Sequence, residues 1–114
     1  MTVLSELSQV LESRKSASAD DSYVASLYAA GLNKMLEKIG EEATEAIIAA
    51  KDLEAELGKN PAAKEAFVGE VADLWFHTMV TLAHLDLGPD DVLSVLSARF
   101  GIGGHVEKAS RTPE

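Results

Sequence analysis

Val3/Leu4, Leu7 and Val10/Leu11 recur at helical spacing, which puts apolar side chains on one face of an α-helix. The pattern predicts a short amphipathic helix ending near Arg14. The Ser/Ala/Asp-rich stretch from Lys15 to Asp21 reads as a loop. Ser22 or Asp21 can cap a second short helix, Tyr23 to Ala30. Gly31 either ends that helix or marks a kink. A long helix is expected from roughly Asn33 to Leu57, with Gly58 as its C-cap residue. Asn60-Pro61 combines an N-cap residue with proline at the first helical position. The helix it opens is expected to run to about Leu87, where Gly88-Pro89 stops it. A last helix begins near Asp90-Asp91, whose charges suit a helix N-terminus, and ends near Phe100. Gly101, Gly103 and Gly104 then break the pattern ahead of a polar tail.

The helix after Asn60 is apolar nearly all round, through Val71, Ala72, Leu74, Trp75, Phe76, Met79, Val80, Leu82, Ala83 and Leu85. Such a helix must be covered on several sides. A chain with two long helices has few elements to cover it. The expected architecture is all-α: two long antiparallel helices plus short helices, in a bundle completed by homodimerisation. Residues 1–114 are expected to form one domain, with a flexible Gly-rich and basic tail from about residue 101.

Composition narrows the function classes. The net charge of −9 argues against nucleic acid held by charge alone. A polyphosphate ligand would need metal ions between it and the protein. Cysteine is absent, which excludes disulfide and thiolate chemistry. No basic leader precedes a long apolar run, and no stretch approaches the ~20 apolar residues of a membrane span. The expected compartment is a reducing cytoplasm.

Against this background two acidic motifs stand out. Glu41-Glu42-Ala43-Thr44-Glu45 precedes the apolar run Ala46 to Ala50, and Glu70-Val71-Ala72-Asp73 precedes Leu74-Trp75-Phe76-His77. Residues three apart share a helix face, so Glu42 points with Glu45 and Glu70 with Asp73. Like charges so placed repel, and ionised carboxylates near a core are costly unless neutralised. One reading is a solvated acidic face. The other is a site for hard cations, Mg²⁺ or Mn²⁺, with only oxygen ligands. Apolar flanks and a short connection between the two helices favour the metal site. A di-iron bundle would need Glu-x-x-His. Leu74, Thr81 and Ile102 stand three residues before the histidines, so that reading fails.

Lys34 and Lys38 lie one and two turns before the first acidic cluster, and Lys51 nearly two turns beyond it. They are candidates for substrate phosphates, or for ordinary helical ion pairs such as Lys38 with Glu42. His77 follows Asp73 by four residues, so it either orients that carboxylate or is a hydrogen-bonded core histidine. His84 reads as structural, and Trp75, Phe76 and Met79 as core or dimer packing. Lys108 and Arg111 sit behind the Gly-rich hinge, either as clamps on a polyphosphate or as part of a frayed terminus.

Glu42-x-x-Glu45, a 24-residue gap and Glu70-x-x-Asp73 resemble the signature of the all-α, MazG-type nucleoside triphosphate pyrophosphohydrolases. Ser22-Tyr23, Lys38-Ile39-Gly40-Glu41-Glu42-Ala43-Thr44-Glu45, Ala49-Ala50-Lys51, Glu70 to His77 and Glu107-Lys108-Ala109-Ser110-Arg111 bring the resemblance closer, to the phosphoribosyl-ATP pyrophosphohydrolase family. It spans about Leu4 to Arg111. The resemblance implies Mg²⁺-dependent cleavage of the α–β phosphoanhydride of phosphoribosyl-ATP to phosphoribosyl-AMP and pyrophosphate, the second step of histidine biosynthesis, by a helical homodimer. It makes Glu42, Glu45, Glu70 and Asp73 metal ligands, and Glu41 a further ligand or the base that orients water. It sets Lys38, Lys108 and Arg111 against phosphates and gives Tyr23 a part in the substrate pocket. His105 and Val106 depart from the family's more usual apolar and acidic pair, which bears on tail geometry. No sequence remains here for a fused cyclohydrolase domain, so a monofunctional form is expected. The rival readings are a house-cleaning pyrophosphohydrolase and a non-catalytic helical dimerisation module.

Overall fold

Local side-chain chemistry decides where the helices begin. In the computed structural model, which describes residues 2–103, Thr2 and Ser5 form a reciprocal capping box at the start of α1 (Val3–Ser13). The Ser22 hydroxyl accepts the Ala25 N–H at 3.2 Å and opens α2 (Tyr23–Ala30). Gly31, at φ +96°, turns the chain into α3 (Leu32–Ala55). The Asn60 carbonyl oxygen accepts the Ala62 N–H at 2.9 Å, and Pro61 begins α4 (Pro61–His84). The Asp91 carboxylate accepts the Gly88 N–H at 2.9 Å at the head of α5 (Pro89–Phe100). The chain is all-α, with no strand among the described residues. No helix there is long and apolar enough to cross a membrane.

The helix ends depart from the sequence expectation. Arg14–Ser16 forms a 3₁₀ turn where a loop was expected from Lys15. Helix α3 stops at Ala55, with Leu57 itself left-handed at φ 57° ahead of Gly58. The N–H groups of Leu57 and Gly58 reach back to the carbonyls of Glu54 and Leu53, both at 2.9 Å. Helix α4 closes in the same way at His84, before Leu87. Asp86 is left-handed at φ 61°, and the Leu87 N–H donates to the Leu82 carbonyl at 2.8 Å. These closures satisfy carbonyls that a helix end leaves bare. They hold two side-chain-bearing residues in a conformation that costs roughly 1 kcal/mol each.

Helices α3 and α4 form an antiparallel hairpin that is covered on one half only. Leu11, Leu27, Met35, Met79, Val80 and Ala83 make the buried cluster, flanked by Leu4, Leu7, Val24, Tyr28 and Phe76. Thus α1 and α2 seal the half of the hairpin that lies away from its turn. The Tyr28 hydroxyl donates to the Leu11 carbonyl at 2.9 Å, and its ring stacks on His84. On the other half, Ile47, Ile48 and Val68 stay exposed, as does Trp75 on α4. The radius of gyration is 16.9 Å, against roughly 13 Å for a compact chain of this length.

Candidate metal and substrate site

Where the covered half of the hairpin gives way to the open half, three carboxylates meet. Glu42 and Glu45 come from α3 and Glu70 from α4, and each offers an oxygen within 4.8 Å of the others. The i,i+3 spacing on α3 sets the first two on one face, and the antiparallel crossing brings the third to them. Glu42 is buried, Glu70 half-buried and Glu45 exposed. Oε2 of both Glu42 and Glu70 is buried with no hydrogen-bond partner among the described residues.

Electrostatics reports the strain of this arrangement. Glu70 is pushed up to about 7, first by a hydrogen bond shared with Glu45, then by burial and the charges of Glu45, Glu42 and Asp73. Glu42 is also raised, chiefly by burial, then by the Glu45 and Asp73 charges, a hydrogen bond with Glu45 raising it further and His77 acting the other way. Without a cation, Glu42 and Glu70 therefore bind protons more readily than ordinary carboxylates. When all three are ionised, the orphaned oxygens have nothing to bind. Oxygen-only donors, converging and unsatisfied, fit a hard divalent cation.

Around this core the sequence-derived candidates divide. Asp73 is exposed and lies outside the trio, although its charge reaches Glu42 and Glu70. Glu41 is exposed and pairs with Lys38 at 3.2 Å, an i,i+3 ion pair where the i,i+4 pair of Lys38 with Glu42 was one alternative. The contact with Glu41 is the main reason the Lys38 ammonium is held above its usual range. Lys34 pairs with Glu37 at 3.3 Å, and Lys51 with Glu54 at 2.9 Å. Lys108 and Arg111 lie outside the described residues.

His77 is buried, and its Nδ1 meets the backbone carbonyl of Asp73 at 2.9 Å, not the carboxylate. Its Nε2 meets the Tyr23 hydroxyl at 3.0 Å. The i,i+4 spacing pointed to the Asp73 carboxylate; the partner is its backbone carbonyl, which fits the alternative of a hydrogen-bonded core histidine. The contact with Tyr23 joins residues 54 apart and has no local signal. Sequence reasoning also missed a cavity of about 410 Å³ farther along the α3–α4 seam, lined by Ala49, Asp52, Ala62, Ala63 and Ala66 among others. Ala49 lies one turn beyond Glu45 and Ala66 one turn before Glu70, so cavity and carboxylates share one groove.

Two long helices thus bring Glu42, Glu45 and Glu70 together across one hairpin, an arrangement consistent with the all-α fold that the MazG-type resemblance implies. Residues 4–100 match the family described as Phosphoribosyl-ATP pyrophosphohydrolase. A protein of Methylococcus capsulatus named Phosphoribosyl-ATP pyrophosphatase is 57% identical over 111 residues, covering 97% of each chain. One of the same name from Hydrogenovibrio crunogenus is 50% identical over 110 residues, covering 96% of this chain and 93% of the relative. The chain belongs to the phosphoribosyl-ATP pyrophosphohydrolase family.

Proposed function

We propose that this protein hydrolyses phosphoribosyl-ATP to phosphoribosyl-AMP and pyrophosphate, the second step of histidine biosynthesis. The observation that carries the reading is the trio Glu42, Glu45 and Glu70, with two buried unsatisfied oxygens, on the hairpin that the family match spans. Glu42, Glu45 and Glu70 would hold Mg²⁺, or Mn²⁺ in its place, with Asp73 completing the acidic set. The cation supplies charge neutralisation for the polyphosphate and Lewis-acid activation of the attacking water. The carboxylates fix where that charge sits, and their rigid helical backbones keep it there as the phosphoanhydride breaks.

The charges along the groove also suggest how the substrate lies. Lys38 and Lys34 stand on the α2 side of the cluster and would meet the phosphates once these compete with Glu41 and Glu37. The alanine-lined cavity lies on the other side, where Asp52 repels phosphate, and would take the nucleoside end. A second copy of the chain would cover the open half of the hairpin and the apolar groove of Trp75, Leu82, Val92, Leu93 and Leu96.

The test is pyrophosphate release from phosphoribosyl-ATP beside ATP, dCTP and dUTP, with Mg²⁺ and with EDTA. Turnover confined to phosphoribosyl-ATP and abolished by EDTA is expected. Glu45→Ala and Asp73→Ala should each lose more than the roughly 10–100-fold that indirect partners of a metal site cost, while remaining helical. Preference for ordinary nucleotides would move the protein to a house-cleaning role. Full activity in both variants would overturn the site.

A further inference from the structure

Helices α2 and α4 are tied together beside the acidic motif of α4 by a single chain of hydrogen bonds. His77 on α4 is buried between the Asp73 backbone carbonyl at 2.9 Å and the Tyr23 hydroxyl of α2 at 3.0 Å. Tyr23 is half exposed, its ring stacked on Phe76 at a centroid distance of 6.3 Å.

We propose that His77 is a positioning residue for the reaction, holding Tyr23 as a hydrogen-bond acceptor beside the acidic motif of α4. This rests on the function given above. The polarity follows from the ends of the chain. A backbone carbonyl has no proton to give, so His77 Nδ1–H donates to Asp73. In the Nδ1–H tautomer Nε2 has only a lone pair, and the Tyr23 O–H donates to it. The tyrosine oxygen keeps only lone pairs for the site. It cannot bind a phosphate oxygen, which is itself an acceptor. What it can receive is a donor, such as a sugar hydroxyl of the substrate.

The sequence suggested that Tyr23 shapes the pocket; the geometry assigns it a sign and a partner. Removing the imidazole would free the tyrosine to rotate or to donate, misplacing it without touching a carboxylate. Glutamine at position 77 can preserve the polarity, because its amide nitrogen can donate to Asp73 while its oxygen accepts from Tyr23.

The experiment is a double-mutant cycle on Tyr23→Phe and His77→Leu, with His77→Gln as the conservative control. Steady-state kinetics are read beside thermal melts and the ¹⁵N shifts of the His77 ring. Each of the first two variants should lose about 10-fold in kcat/KM, the low end for partners that act through another group, and the pair should lose no more than either alone. His77→Gln should recover most of the activity, and the ring should show protonated Nδ1 and bare Nε2. Losses that multiply in the double variant, His77→Gln as impaired as His77→Leu, or a ring protonated at Nε2, alone or together with Nδ1, would each overturn the proposal. The ring shifts are read on the wild-type protein without substrate. They test the geometry even if phosphoribosyl-ATP proves not to be turned over.

Discussion

The two halves of the α3–α4 hairpin have the same secondary structure and opposite surroundings. On the half sealed by α1 and α2, Met35 and Val80 have no exposed surface. On the half beyond the carboxylates, Ile47 and Val68 are each 65% exposed. The difference teaches where this small chain keeps its stability and where it keeps its chemistry. One half is packed against its own sequence. The other half is left open, and the acidic trio sits at the boundary, anchored by the packed side and reachable from the open one.

The largest effect on stability should come from the sealed half. Met35→Ala is expected to cost about 2–5 kcal/mol by removing a fully buried side chain. Ile48→Ala, at a half-exposed position, should stay within about 0.5 kcal/mol for the isolated chain. Urea titrations at several protein concentrations check both. A cost at Ile48 that grows with concentration would show that a second copy seals the open half, and so sharpen the contrast. Equal costs at both positions would break it.

The boundary should show itself through pH. Glu70, raised to about 7 against an ordinary 4.5, binds a proton more readily folded than unfolded. Its contribution is therefore fully present below the unfolded value and is lost as pH rises through about 7. The metal-free protein should become less stable from about pH 5 to 8, and Glu70→Gln should lack that decline. Saturating Mg²⁺ should flatten the wild-type curve, because the cation replaces the proton. Thermal melts across this range, with EDTA and with Mg²⁺, measure it. A wild-type curve that matches Glu70→Gln in EDTA would remove the electrostatic account of the boundary.

The smallest effect is expected at the turn of the open half. Leu57→Gly relieves a left-handed residue with an exposed side chain and should raise stability by roughly 0.5–1 kcal/mol. Chemical denaturation resolves a change of that size. A loss instead would mean that the Leu57 side chain is covered by something outside the single chain.

Much of this was legible in the sequence where the signals are local. Ser22 and Asn60-Pro61 name helix starts because a capping side chain accepts from N–H groups two or three residues away. Glu42 and Glu45 were readable as a pair because helix geometry fixes their common face. The closure at Leu57 was not, since leucine rarely adopts a left-handed conformation. The separation of Asp73 from the trio was also hidden, because i,i+3 spacing sets a direction along one helix and not a distance to the next. Glu41 pairs with Lys38, a choice between two nearby pairings that spacing leaves undecided.

The sequence by itself determined five helices, their acidic motifs and the family to which the chain belongs. Tertiary structure alone decided which half of the hairpin is sealed, which three carboxylates share a point, and that Tyr23 leans on His77. The physical reason is range. Helix propensity, capping and i,i+3 geometry act within a few residues, while burial and convergence depend on how far one helix slides and turns against another.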